Sequence, residues 1–136
     1  MLEIVDLLYL QNQSQAKQHR FNKPYMLGNG CERDDVSSAI EGEVSGESGD
    51  IVVAATDGLL DNVFPSEIVE ILNQADGKQD PEQLAKSIAE AAHFNSLDMT
   101  CESPFAKAAM SEAGLDISGG KYDDITVVVG QIQHLS

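Results

Sequence analysis

The sequence has few aromatic residues and few basic ones. Of its 136 residues 5% are aromatic and none is tryptophan, so a hydrophobic core must be built mainly from aliphatic side chains. Lys and Arg together number 8 against 23 Asp and Glu, which gives a formal net charge of −15. Because binding to nucleic acid needs a basic face, this balance argues against nucleic acid as a partner, and equally against an anionic membrane surface.

Cysteine and long apolar runs are also scarce. The two cysteines, Cys31 and Cys101, form no CxxC pair and lie in no His/Cys cluster, so we expect neither a zinc site nor a disulfide framework. No apolar run approaches the roughly 20 residues of a membrane-spanning helix. The first residues also lack the basic region of a signal peptide. We therefore expect an intracellular protein without membrane insertion.

The hydrophobic pattern predicts strands and helices within one domain. Residues 2–10 are compatible with a β-strand, and a helix is an open alternative there. The polar, glycine-rich residues 11–49 predict a long irregular connection. Proline and capping residues predict helices that begin near residues 65, 81 and 103, the first ending at 76–78 and the last near Gly114. The apolar, β-branched runs 51–55 and 125–132 predict two further strands, the first buried on both faces.

Acidic residues stand at the ends of these last two strands. Asp57 and Asp61 follow the first strand, and Asp123 and Asp124 precede the second. Mg²⁺ and Mn²⁺ prefer oxygen ligands from a few carboxylates, and these side chains would meet if the two strands were neighbours. A structural interpretation stays open beside this one. In it, Asp57 forms an Asx turn and the Asp123–Asp124 pair caps a hairpin, and spacing alone favours that interpretation.

Two longer segments carry a resemblance to a known family. Residues 49–62 (GDIVVAATDGLLDN) and 119–129 (GGKYDDITVVV) resemble two motifs of the metal-dependent serine/threonine protein phosphatases of type 2C. Their order and spacing together make the signal specific, whereas either motif alone would be weak. Residues 18–25 (QHRFNKPY) and 103–106 (SPFA) are similar to segments of the organellar branch of this family, found in mitochondria and plastids.

The resemblance implies a fold, a cofactor and a set of site residues. The fold would be an α+β, four-layer α-β-β-α sandwich of antiparallel sheets. Two divalent ions, Mg²⁺ or Mn²⁺, would lie between the sheets, bridged by a water that attacks phosphorus. By motif, Asp57 and Asp123 would ligate a metal, while Asp61, Asp124 and Gly58 would have auxiliary roles beside them. No motif gives a role to a histidine.

The resemblance also implies partners and a compartment. Phosphorylated proteins would be the substrates, dephosphorylated at serine or threonine. The intact domain would be a monomer, in mitochondria or plastids.

The family's upstream motifs, ED and DG-x-x-G-H, do not occur in this sequence. We therefore interpret residues 1–136 as the C-terminal half of such a domain with the N-terminal half absent, which makes the sandwich incomplete. We expect little or no phosphatase activity from this chain alone. The alternative is a non-catalytic fragment or pseudophosphatase that acts as a binding module. An unrelated acidic cation-binding domain would account for the net charge but not for two ordered motifs.

Overall fold

Four strands form the main sheet of the protein. The computed structural model describes residues 2–6, 9–13, 18–28, 33–75 and 80–134. Strands β1 (Leu2–Asp6), β2 (Tyr9–Gln13), β5 (Ile51–Ala55) and β6 (Val127–Gln131) pair in the order β2-β1-β5-β6, with every pairing antiparallel. A separate two-stranded hairpin consists of β3 (Gln18–Arg20) and β4 (Lys23–Pro24).

The N-terminal part of the chain holds more strands than the sequence predicts. The predicted β-structure over 2–10 is confirmed for the described residues, but these residues belong to two paired strands, β1 and β2, and not to one. The irregular connection over 11–49 is partly wrong, since it contains the end of β2, both strands of the β3–β4 hairpin and a short 3₁₀ helix, Val36–Ser38. Asn22 makes the hairpin turn with φ of 55°, a conformation that asparagine tolerates. Strands of two or three residues carry no periodicity that a sequence pattern could reveal.

Strands β5 and β6 are predicted correctly, with two differences. Within β5, Ile51 and Val53 are buried while Val52 and Ala54 are only half-buried, so the prediction of burial on both faces is wrong. Helices cover the face that bears Ile51 and Val53, and on the neighbouring strand Val128 is 60% exposed. The last strand is shorter than predicted and begins at Val127, since the Thr126 N–H is hydrogen-bonded to the hydroxyl of Thr56.

In the described residues after β5 there are four helices: α1 (Asp57–Leu60), α2 (Pro65–Gln74), α3 (Pro81–Leu97) and α4 (Pro104–Ala113). The predicted helix starts are confirmed. Asp80 and Ser103 accept hydrogen bonds from the first turns of α3 and α4, and Gly114 closes α4 with φ of 65°. Helix α2 ends before Ala75, and its predicted end at 76–78 lies outside the described residues. Among the described residues, no helix has both the length and the apolar character that a membrane span requires.

The core lies between one face of the sheet and helices α1 to α3. Its aliphatic character follows from the composition, and its largest fully buried apolar side chains are Val53, Leu59, Val63, Ile68, Leu72 and Ile88. This arrangement confirms an α+β fold with antiparallel sheets. The described residues form a single main sheet with helices on one face, in agreement with an incomplete sandwich.

Candidate metal centre

The structure brings Asp57 and Asp123 to the same edge of the main sheet. Strands β5 and β6 are antiparallel neighbours, and Ala55 pairs with Val127. The end of β5 therefore lies beside the beginning of β6. Asp57 follows β5 at the start of α1, and Asp123 lies shortly before β6. The two strands are therefore neighbours, which is the condition for the predicted meeting of Asp57 and Asp123.

Asp57, Asp61 and Asp123 form a compact group of carboxylates, which we call the acidic cluster. One carboxylate oxygen from each residue lies within 4.8 Å of those of the other two. Asp61 follows α1 directly, and the Asp61 N–H donates to the Asp57 carbonyl, so one turn of backbone separates these two side chains. Asp57 is exposed, while the other two are half-buried. Carboxylate oxygens at this spacing match what a hard divalent cation needs from a protein.

Lys121 places its ammonium against two members of the acidic cluster. Its Nζ lies 2.7 Å from Asp61 Oδ2 and 3.0 Å from Asp123 Oδ2, and its side chain is only 20% exposed. The same nitrogen lies 5.3 Å from the centre of the Phe105 ring, within the range of a cation–π contact. Lys121 therefore has a fixed position, held by two carboxylates and an aromatic face.

The charges of this group shift one another's pKa values. The pKa of Asp61 is raised, first by burial and further by the charges of Asp57 and Asp123, although the bond and charge of Lys121 act to lower it. The pKa of Asp123 is lowered, first by the hydrogen bond from Lys121 and then by the N–H of Asp124. The two carboxylates differ because Asp61 is the more deeply buried. Burial acts to lower the pKa of Lys121, but its bonds to Asp61 and Asp123 outweigh burial and raise it, so the side chain is an ammonium at neutral pH.

Thr56 ties the two segments of the site together. Its hydroxyl donates to the carbonyl of Asp124 at 2.8 Å and accepts from the N–H of Thr126 at 3.0 Å. The Thr56 N–H in turn donates to the Thr126 carbonyl at 3.0 Å. These three bonds extend the pairing of β5 and β6 up to the acidic cluster, so Asp57 and Asp123 stand on a common rigid support.

Asn62 makes a second, buried tie. Its side chain is 1% exposed, and its amide nitrogen donates to the carbonyls of Gly58 and Lys121, each at 2.8 Å. Its Oδ1 accepts from the Lys121 N–H at 2.8 Å. The Asn62 carbonyl accepts from the Asn95 side chain, which joins the site to α3. One asparagine therefore connects α1, α3 and the backbone of Lys121.

Close backbone contacts explain three glycines of the two motifs, Gly58, Gly119 and Gly120. A Cβ on Gly58 would lie 2.6 Å from the Asp124 carbonyl oxygen, and a Cβ on Gly120 would collide with the Asn95 carbonyl oxygen. Gly119 has φ of 91° and lies against the backbone of Met99. Only a residue without a side chain allows the segments to approach this closely. The buried hydroxyl of Ser103 donates to the Gly119 carbonyl at 2.6 Å, which links the SPFA segment to the site.

The auxiliary residues are placed in different ways. The carboxylate of Asp61 is part of the acidic cluster itself, while Gly58 contributes a close backbone contact. Asp124 is exposed and acts through its backbone, accepting from Thr56 and donating to Asp123 Oδ1 at 2.9 Å. Its carboxylate is not part of the acidic cluster. Metal ligation by Asp57 and Asp123 remains a prediction.

The alternative interpretation, in which Asp57 forms an Asx turn and the Asp123–Asp124 pair caps a hairpin, does not match the observed hydrogen bonds and strand pairing. Within the described part of the chain, the carboxylate of Asp57 accepts no hydrogen bond that would make an Asx turn. The partner of β6 is β5, distant in sequence, so no hairpin turn precedes β6 for Asp123 and Asp124 to cap.

Two residues of the site were not identified from the sequence. Lys121 and Asn62 both belong to the quoted motifs, GGK-x-DD and TDGLLDN, so the motifs contain both residues. The contacts of these residues could not be predicted, because a motif shows that a residue type recurs at a position but not which distant group it contacts.

Comparison with known proteins gives the site its context. No protein-family model matches the chain. It is 41% identical over 121 residues to "Probable protein phosphatase 2C 80" of Arabidopsis thaliana, a match that covers 88% of this chain and 29% of the relative. It is 36% identical to "Protein phosphatase PTC7 homolog" of Danio rerio, with 87% of this chain and 42% of the relative covered. The chain thus spans less than half the length of these relatives.

A solved structure supports the same relationship. The X-ray structure of the photosystem II phosphatase PBCP superimposes with a TM-score of 0.85 at 29% sequence identity. The match covers 98% of this chain and 56% of that protein, so nearly every element described above has a counterpart there. The predicted α+β sandwich, incomplete in this chain, is confirmed at the level of the fold. In sequence and in fold, this chain is similar to the C-terminal part of type 2C protein phosphatases.

Proposed function

We propose that this chain supplies part of the metal site of an enzyme that hydrolyses phosphoserine and phosphothreonine in proteins. The observation that carries the proposal is the acidic cluster, in which residues from two distant motifs converge on one point. The relationship to type 2C phosphatases supports the choice of reaction. A merely acidic surface would not require the hydrogen bonds of Thr56 and of the buried Asn62 that hold the cluster in place.

Asp57 and Asp123 are the proposed metal ligands, and Asp61 stands close enough to join them. Mg²⁺ or Mn²⁺ suits these oxygens, and the intact domain would hold two such ions. When bound, divalent ions supply a water of lowered pKa for attack on phosphorus and neutralise charge on the phosphoryl oxygens. The chain's own part is to fix the spacing of the carboxylates through β5 and β6.

Lys121 is proposed to balance the charge of the acidic cluster. Three carboxylates within 4.8 Å of one another repel each other and would also repel a phosphate monoester. An ammonium bonded to two of them removes one unit of negative charge without occupying the exposed carboxylate of Asp57. The site therefore keeps an open carboxylate toward solvent and a neutralised side against Phe105.

The compartment and the oligomeric state are proposals as well. Segments 18–25 and 103–106 are similar to the organellar branch of the family, which supports a mitochondrion or a plastid. The similarity to the photosystem II phosphatase PBCP is consistent with the plastid. We propose that the intact domain works as a monomer on phosphorylated proteins. A purely non-catalytic binding module is not favoured, because both proposed ligands are present and lie together.

Phosphate release tests this proposal. In a protein that contains this chain, Asp57→Asn and Asp123→Asn should each lower Mn²⁺-dependent release of phosphate from a phosphoserine peptide by about 100-fold, at least as much as the loss of a residue that only supports a ligand. Asp116→Asn, at an exposed position in the loop after α4, changes the charge equally and should leave the rate unchanged. Retention of full activity by either ligand variant would refute the assignment. The same assay checks the prediction that these 136 residues alone release little phosphate.

A further inference from the structure

A pocket beside the β3–β4 hairpin concentrates positive charge in an otherwise acidic protein. Arg20 and Lys23 of the hairpin and Arg33 of the following segment line a cavity of about 410 Å³. We call this cavity the basic pocket. It contains both arginines and three of the 8 basic residues of a chain whose net charge is −15. Such local concentration against the overall charge indicates a site for an anion.

The walls of the basic pocket are held by Asp34. Its carboxylate lies 2.7 Å from His19 Nε2 through one oxygen and accepts the Met26 N–H at 2.7 Å through the other. The Asp34 N–H donates to the Met26 carbonyl at 2.8 Å. The His19 ring stacks on Tyr25, with ring centres 4.2 Å apart. These contacts fix the segment of Arg33 against the hairpin that carries Arg20.

The charges of the two arginines in the basic pocket are available to a ligand. Among the described residues that line it, Asp34 is the one acidic residue, and both of its carboxylate oxygens are engaged with His19 and Met26. Arg20 and Arg33 are exposed, and neither forms an ion pair within the part of the chain that the structure describes. Two guanidinium groups around one cavity suit a phosphoryl group, whose oxygens accept paired hydrogen bonds from the planar fork of arginine.

The basic pocket belongs to an element that packs next to the acidic cluster. Phe21, in the hairpin turn, contacts Phe105 of α4 with ring centres 5.2 Å apart. Gln18 donates to Glu112 of the same helix at 3.0 Å. Phe105 is also the ring against which the Lys121 ammonium lies. The hairpin therefore bridges the two sites through one aromatic contact.

We propose that the basic pocket binds a phosphoryl group of the phosphoprotein substrate, distinct from the group that is hydrolysed. The inference rests on the proposed function for the identity of the partner, and on the charges of the basic pocket for the chemistry. A strongly acidic protein repels a phosphorylated segment, so a local cationic site is needed to retain it. A second anchoring point would hold a multiply phosphorylated protein while one of its phosphates reaches the acidic cluster.

Binding of a phosphoserine peptide in the presence of EDTA tests the proposal. EDTA removes divalent ions, so the measurement is independent of the metal site and of hydrolysis, and it stands even if the proposed function fails. Replacing both arginines, Arg20→Gln with Arg33→Gln, should raise the Kd of the labelled peptide at least about tenfold, in the range expected for the loss of arginine–phosphate bonds. Arg20→Lys with Arg33→Lys should recover part of the affinity, because it keeps the charge and loses the paired geometry.

Matched controls separate this site from the net charge of the protein. Lys86→Gln with Lys107→Gln removes the same charge from exposed positions on α3 and α4 and should leave the Kd unchanged. Far-ultraviolet circular dichroism checks that all variants are folded. Each of four results would overturn the proposal. They are an equal loss of affinity in the control pair, equal binding of the unphosphorylated peptide, binding of inorganic phosphate without binding of the phosphoserine peptide, and no binding by the wild-type chain.

Discussion

Asn62 and Lys121 exchange two hydrogen bonds as if they were neighbours in a sheet. The Asn62 side chain accepts the Lys121 N–H and donates to the Lys121 carbonyl, both at 2.8 Å. A buried side chain thus takes the place of a strand partner for a segment that has none. The arrangement holds the backbone of Lys121, and with it the position of the ammonium against Asp61 and Asp123.

Removal of this tie should destabilise the whole protein. Asn62→Ala leaves the carbonyls of Gly58 and Lys121 and the Lys121 N–H without their partner in a buried place. We expect the free energy of unfolding to fall by about 2–4 kcal/mol, as is typical for buried groups left unsatisfied. Urea denaturation followed by circular dichroism measures it. Asn73→Ala, at an exposed position of α2, should change it little. Equal effects of the two substitutions would show that the tie contributes nothing.

The close approach at Gly120 gives a second stability test. A Cβ there would collide with the Asn95 carbonyl and lie 2.7 Å from Asn62 Oδ1, and neither the backbone nor the buried amide can yield easily. Gly120→Ala should therefore lower the free energy of unfolding by about 2 kcal/mol or more. At Gly130 nothing lies within 4 Å, so Gly130→Ala in β6 should be tolerated. Thermal unfolding measures the stability of both variants. A Gly120→Ala protein as stable as the wild type would contradict the described packing.

Lys121→Met should unbalance the acidic cluster. Three carboxylates within 4.8 Å would lose the ammonium that separates two of them, so their repulsion should lower stability by about 1–3 kcal/mol, between the values for surface and buried pairs. The measurement is the midpoint of thermal unfolding in EDTA. Lys86→Met removes the same charge from an exposed lysine that lies 3.9 Å from Glu90, and it should have almost no effect. A variant at Lys121 that melts with the wild type would argue against the proposed charge balance.

The free energy of unfolding should depend on pH through the ionisation of Asp98. Its carboxylate accepts from the Thr100 hydroxyl and N–H and from the Cys101 N–H, and these bonds, those of Thr100 first, lower its pKa in the folded state. A lowered folded pKa means that the stabilisation is complete above the unfolded pKa and is lost as the pH falls through the folded pKa. Asp98→Asn should therefore reduce stability at neutral pH and narrow its gap to the wild type in acid. If the difference in stability between Asp98→Asn and the wild type stayed the same from neutral to acid pH, the stabilising role assigned to the ionised Asp98 would be contradicted.

The sequence predicts the site better than it predicts the sheet. Asp57 and Asp123 could be placed together because each lies at the end of a strongly apolar strand, and antiparallel neighbours bring such ends to one edge. The starts of α2, α3 and α4 could be read because proline and capping side chains act locally.

Other features depend on contacts between distant residues. The β3–β4 hairpin is held by Phe21 against Phe105 and by Gln18 against Glu112, and no local pattern announces either contact. The half-exposed face of β5 could not be predicted because an apolar run does not show which of its faces a helix will cover. The bond of Lys121 to Asp61 likewise joins two side chains that are 60 residues apart in the sequence.

A double-mutant cycle for Mn²⁺ binding tests the central claim most directly. Calorimetric titration of wild-type protein, Asp57→Asn, Asp123→Asn and the double variant gives the free energy that each carboxylate contributes. If both ligate one ion, each single substitution should weaken binding at least about tenfold, and the double variant should lose clearly less than the sum of the two losses. An unchanged affinity in either single variant, or losses that add in full as for independent sites, would contradict the account.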